Sequence, residues 1–233
     1  MSVIYDFARH RDLNRWHLEG NGNLSVSENG GLVIETAFVR PDAKATTVWL
    51  RDVVLPENFR LTFSFRSDAA NGNTMVIFNA LPYELGDIFD DPRPDARYCD
   101  IASFRKMQAH TIGFHRGVYG RPSVLRKLGG CVPMHWGNPQ YPSPEWHEMD
   151  NITAMSHARE PLTEADKGKL HSFFVTRVND RITFTVNDVL VHDYTDALEY
   201  PYCETVLRGG RMGFRNFSGP AVDVYESIVL EVI

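Results

Sequence analysis

The chain has 233 residues, 43% of them hydrophobic and 23% charged, with a formal net charge of −6. That length and apolar content suit one all-β domain spanning residues 1–233, and the acidic balance argues against nucleic acid as a partner. No apolar run approaches membrane-span length, so a membrane is not an expected partner either.

The first sixteen residues, MSVIYDFARHRDLNRW, lack the apolar core and small-residue cleavage site of a secretory leader. Cys99, Cys131 and Cys203 are odd in number and widely spaced, which argues against a disulfide framework and against a zinc site. Together these features predict a cytoplasmic protein. Residues 8–16 and 161–170 are the two places where a short helix could form.

Elsewhere the dominant period is two. GGLVIET (30–36) and TTVWLRDVVL (46–55) supply early strands. In the second, Trp49 shares a face with Thr47 and Arg51, opposite Val48 and Leu50. FRLTFSFR (59–66) puts Phe59, Leu61, Phe63 and Phe65 on one face. TMVIFNAL (74–81) is apolar on both faces, which predicts a central strand, and Asn79 interrupts it with an amide that needs partners.

Further along, AHTIGFHRG (109–117) alternates, with Ile112 and Phe114 directed inward and Thr111, Gly113 and His115 on the opposite face. RITFTVN (181–187) is half-buried, and AVDVYESIVLEVI predicts Val222, Val224, Ile228, Leu230 and Val232 inward. Asn-Gly, Asn-Asp and Gly-Gly pairs punctuate the strands. Residues 83–100 and 129–169 are too long for plain connections and read as binding loops or surface insertions. The pattern predicts a two-sheet antiparallel jelly-roll sandwich with long loops and at most short helices.

The last third, FFVTRVNDRITFTVNDVLVHDYTD followed by GGRMGFRNFSGPAVDVYESIVLEV, resembles the C-terminal half of concanavalin-A-like jelly rolls. GDIF (86–89), TIGFHR (111–116), LRK (125–127) and GFRNFSG (213–219) resemble the YesU-like group, a domain-of-unknown-function family. The similarity extends over most of the chain. It implies a sandwich with a concave face and a link to degradation of plant-type polysaccharides, rhamnogalacturonan in some relatives. It carries no established catalytic residues, and His115 stands where relatives are expected to hold an aromatic residue.

Charge is sorted along the chain. Residues 97–127 hold seven basic side chains against one acid, and residues 84–95 hold five acids against one arginine. Guanidinium forks match carboxylates, so a groove lined by these arginines suits a uronate-bearing oligosaccharide; the alternative is mutual neutralisation across a loop. The candidate substrate contacts are Trp49, Asn79, His110, Arg126 and Arg215. Trp49 would stack on a sugar ring or be buried under a long loop.

For cleavage, β-elimination needs a cation at the carboxylate, a base and an acid, and Arg116 or Arg126, His115 or His110, and Tyr119 are the candidates. A hydrolase would need two carboxyl groups, for which Asp87, Asp100 and Glu148 are weak candidates, and no E-x-D-x-x-E strand occurs. The Q-A-H run at 108–110 faintly resembles the Q-I-H strand of alginate lyases, but their R-x-E-x-R strand is absent. A non-catalytic sugar-binding module and a protein-interaction sandwich are the competing readings. No cofactor motif is present. GDIFDDPRPD (86–95) could supply oxygen ligands for a structural calcium, although its spacing matches no EF-hand loop. No motif encodes an oligomeric state.

Overall fold

Phe59, Leu61, Phe63 and Phe65 are buried and the residues between them are half-buried, so Phe59–Ser67 is a strand with one apolar face. The computed structural model describes residues 1–20, 22–36, 46–68, 73–82, 86–90, 107–115, 123–128, 152–158, 162, 164–196, 206–217 and 220–233. Within them two antiparallel sheets face each other.

One sheet runs in the order β13 (Val189–Thr195), β12 (Arg181–Val186), β11 (His171–Val178), β6 (Phe59–Ser67), β15 (Ala221–Val232), β4 (Leu32–Thr36), β3 (Gly22–Val26), with β1 (Ser2–Asp6) paired to the end of β15. The other runs β10 (Ile152–Ala158), β9 (Ser123–Leu128), β8 (Met107–His115), β7 (Asn73–Pro82), β14 (Arg211–Phe217), β5 (Thr46–Leu50), β2 (Trp16–Gly20). Two short 3-10 turns, Leu13–Arg15 and Glu164–Asp166, fall where the sequence allowed helix. Among the described residues no helix is long and apolar enough to cross a membrane.

Aromatic rings fill the space between the sheets. Phe63 stacks on Phe173 at 4.9 Å, Phe114 lies 4.8 Å from Phe173, and Phe214 lies 4.1 Å from Tyr225. Each buried ring contributes about 1.5–3 kcal/mol relative to exposure.

Several strand pairs carry register shifts, and those in β15 and β7 change which residues face the core. In β15 the register shifts between Tyr225 and Ser227, so Asp223 and Tyr225 face inward before the bulge, and Ile228 and Leu230 after it. The inward placement expected of Val222 and Val224 is thereby corrected: one extra residue reverses the alternation. In β7 the register shifts between Phe78 and Leu81, at Asn79, whose φ is +52°. This strand is central, with Val76 and Phe78 in the core and Met75 and Ile77 in a second apolar cluster.

Candidate functional site

The registers of the seven-stranded sheet align side chains on its outer face into two rows. One row reads Arg126, Thr111, Ile77, Gly213, Trp49, His17 across β9, β8, β7, β14, β5 and β2. The next reads Val124, Gly113, Met75, Arg215, Thr47, Glu19. At about 4.8 Å per strand, Arg126 and Arg215 stand roughly 14 Å apart across the sheet. Thr111 and Gly113 lie between them. Thr111 and Gly113 stand on the face expected from TIGFHR, but the register shifts between Gly113 and His115, and His115 pairs with the inward-facing Thr74.

The face is enclosed. Met75, Thr111, Val124 and Arg215 are each buried although none points toward the other sheet, and Arg126 is half-buried. Trp49 is 1% exposed and lies in an apolar cluster with Met75, Ile77, Ile88, Met107 and Ala109. Its ring crosses Gly213 so closely that a Cβ there would sit 2.8 Å from Trp49 Cε3 and 2.6 Å from the Val48 carbonyl oxygen. Glycine at 213 is what lets the indole lie against the sheet. Trp49 therefore forms floor and offers no open stacking surface.

Part of the cover comes from Gly86–Asp90, the described portion of the first long segment. Ile88 packs into the Trp49 cluster and Phe89 lies against its edge. Arg211 clamps this piece. Its guanidinium binds Asp87, donates to the Arg51 carbonyl at 2.6 Å, and lies over the Phe89 ring. Burial works to raise the Asp87 pKa, but the Arg211 hydrogen bonds outweigh it and hold the carboxyl below its usual range. Asp87 is thus engaged by a cation of its own chain. Among the described residues no group of three or more His, Cys, Asp or Glu side chains is placed to hold a metal.

His110 and Asn79 belong to the interior. The phase that sends Ile112 and Phe114 inward sends His110 inward too, where it is fully buried and stacks on Phe78 at 5.2 Å. His110 Nε2 lies 3.2 Å from Asp196 Oδ2, and Lys127 Nζ donates to Asp196 Oδ1 at 2.8 Å. The Leu207 amide also donates to Asp196, at 3.3 Å. Burial would raise the Asp196 pKa, but the His110 and Lys127 interactions bring it down to about 2. Burial lowers the pKa of His110, with Asp196 opposing.

Asn79 Nδ2 donates to the Gly209 carbonyl at 2.8 Å, and its Oδ1 accepts from Arg177 at 3.0 Å. Arg177 is fully buried and also donates to the Asn179 carbonyl. Nearby, Ser123 donates to the Gly113 carbonyl at 2.6 Å, so His192 Nε2–H donates to Ser123 at 2.9 Å, and His192 Nδ1 accepts from Ser156. The side chains of Asn79, His110, Ser123, Lys127, Arg177, His192 and Asp196 are buried, Ser156 is half-buried and Asn179 is exposed. They tie the inner faces of β7, β8 and β9 to the other sheet and so fix the strands whose outer faces carry Arg126, Thr111 and Gly113.

Of the residues singled out from sequence, Arg126 and Arg215 share the outer face, Trp49 lies within it, and His110 and Asn79 stand behind it. Arg116 and Tyr119 lie outside the described residues, as do Asp100, Glu148 and the side chain of His115. Lys127, Arg177, His192 and Asp196 were not anticipated. A signal existed: VHDYTD alternates, which puts His192 and Tyr194 of β13 in phase with Asp196 just beyond its end, and Lys127 follows the inward Leu125 by two. Their charge concealed their phase.

No family model matches the sequence, and neither does any curated protein. Solved structures do share the fold. A Bacillus subtilis protein of unknown function with a galectin-like fold superposes with a TM-score of 0.77 at 19% identity, over 100% of this chain and 96% of that one. The carbohydrate-binding module CBM66 from Bacillus subtilis gives 0.53 at 13% identity, over 93% and 95%. LamA from Z. galactanivorans, in complex with laminaritriose and laminaritetraose, gives 0.57 at 11% identity, over 98% of each chain. The chain is an all-β, galectin-like jelly-roll sandwich.

Proposed function

We propose that the outer face of the seven-stranded sheet binds and processes an oligosaccharide carrying uronate groups. The observation that carries this reading is the pair of arginines, Arg126 and Arg215, on one enclosed face with Thr111 and Gly113 between them. Guanidinium groups bind carboxylates bidentately, and enclosure strengthens that attraction by excluding water. Gly113 leaves room for a ring to approach the strand. The resemblance to YesU-like proteins and the sugar-associated structural neighbours support a saccharide over other anions.

The reading extends to cleavage. Arg116 would neutralise the uronate carboxylate, and His115 and Tyr119 would move the protons. Enclosure favours this over a flat binding module, because such a module needs an open aromatic strip and Trp49 is sealed beneath the face. Paired-carboxylate hydrolysis has less support: Asp87, the one described candidate acid, is held by Arg211. The lone, scattered cysteines favour the cytoplasm, where the substrate would be an imported fragment.

The test is incubation with pectin- and alginate-derived oligosaccharides. Near-ultraviolet absorbance would report an unsaturated uronate and elimination; new reducing ends without it would report hydrolysis. Binding without either product would leave a lectin-like module. Arg126→Ala and Arg215→Ala should each weaken binding of the acidic sugar at least tenfold while sparing its neutral, carboxyl-reduced analogue. Equal affinity for both sugars in the unmodified protein would sink the proposal.

A further inference from the structure

The end of the sandwich remote from Asp196 closes with a buried layer of oxygen-bearing side chains. On the seven-stranded sheet Thr46, Asn216 and Thr74 stand side by side across β5, β14 and β7. On the other sheet Asp223 of β15 is paired with Ser67 of β6, and Thr36 of β4 lies one step along, opposite Ala221. All six are at most 4% exposed. The rows face each other: Asp223 Oδ2 accepts from Asn216 Nδ2 at 2.6 Å and from Thr74 Oγ1 at 3.1 Å, and Ser67 also hydrogen-bonds the Asp223 carboxyl.

Three of the six carry an unsatisfied oxygen: Asp223 Oδ1, Asn216 Oδ1 and Thr36 Oγ1 are buried with no hydrogen-bond partner, as is the hydroxyl of Tyr225, two residues along β15. Asp223 Oδ1 and Asn216 Oδ1 can only accept while the carboxyl is ionised, so neither relieves the other. Among the described residues no Lys, Arg or His pairs with Asp223. A buried carboxylate without a cation is costly, and buried acceptors are otherwise nearly always filled.

We infer that this layer binds one dehydrated alkali-metal cation, Na⁺ or K⁺, through Asp223 Oδ1 and Asn216 Oδ1, with neighbouring hydroxyl oxygens completing the shell. The available donors are all oxygen, which selects a hard cation over zinc, copper or iron. Charge selects among hard cations. One carboxylate and one monovalent ion make a neutral buried unit, whereas a divalent ion would leave a net positive charge in a dry interior, at a large desolvation cost. The site lies behind the sheet, separate from the saccharide face, and does not depend on the function proposed for that face.

The experiment is thermal unfolding of the full chain in sodium, potassium and choline chlorides at equal ionic strength. If free cation exceeds its dissociation constant tenfold, the midpoint in sodium or potassium should exceed that in choline by about 3–5 °C. The isosteric Asp223→Asn chain should lose that difference while folding. Should it not fold, crystals of the unmodified chain soaked in thallous or rubidium salt should show an anomalous peak beside Asp223. Equal midpoints in the three salts with no such peak would overturn the inference. So would stabilisation by calcium alone.

Discussion

Two aspartates are buried at opposite ends of the sandwich, each 1% exposed, and their chemistry diverges. Asp196 has a lysine at 2.8 Å and a histidine at 3.2 Å, and its pKa falls to about 2. Burial raises the pKa of Asp223 to about 6, against hydrogen bonds from Ser67, Asn216 and Thr74 that work to lower it. Neutral donors do not replace the water that a carboxylate loses; a cation nearly does. Burial alone therefore says little about a charge in this fold. What matters is whether the opposite sheet supplies a partner of opposite sign.

The largest effect should come from removing that partner. Lys127→Met leaves Asp196 ionised and buried with only His110 and the Leu207 amide, a loss of about 3–5 kcal/mol in urea unfolding. Asp223→Asn should cost far less, because it removes a charge that no side chain compensates. If the two variants proved equally destabilising, the contrast between the ends would be wrong.

Acidity separates the ends next. Asp223 has a folded pKa above its unfolded value of about 3.9, so its contribution is complete below pH 4 and is lost as pH rises through about 6, roughly 3 kcal/mol in choline chloride. A bound alkali cation would flatten that loss. Asp196 has the opposite sign: its contribution is complete above pH 4 and falls away toward pH 2, by about 2–3 kcal/mol. Stability without alkali cations should therefore peak near pH 4, with the alkaline slope absent in Asp223→Asn.

Most of the fold was legible because alternation and turn chemistry are local. FRLTFSFR and RITFTVN became β6 and β12 with the faces their periods imply, TMVIFNAL became the central β7, and TIGFHR put Thr111 and Gly113 on the outer face. Two kinds of information were not local. Bulges at Asn79 and at Tyr225–Ser227 reverse phase within strands that read as continuous, so Asp223 took the inward place expected of its valine neighbours. Polar residues at inward positions were read as surface chemistry, since only the facing sheet shows that Asp196 meets Lys127 or that Arg177 meets Asn79. Nearness in sequence put His110 with Arg126, whereas the pleat puts them on opposite faces. The arginine pair itself depended on register: Arg126 and Arg215 are 89 residues apart and share a face only because four strands align.

Asn79 gives the smallest and sharpest test of the same contrast. Its left-handed backbone, φ +52°, is one that glycine tolerates, so Asn79→Gly removes the amide without adding backbone strain. The Gly209 carbonyl and one arm of the buried Arg177 then lose their partners, at about 1–2 kcal/mol. Asn79→Asp keeps the acceptor and adds a negative charge 3.0 Å from the Arg177 guanidinium, while giving up the bond to Gly209. If cation supply governs this end, the aspartate variant should be the more stable of the two at neutral pH. It should also weaken in acid as the new carboxyl takes a proton, a response the glycine variant lacks. Matching urea midpoints for the two variants from pH 7 to pH 3 would mean that Arg177 contributes shape and hydrogen bonds, and that its charge does not set the tolerance for acids at this end of the sandwich.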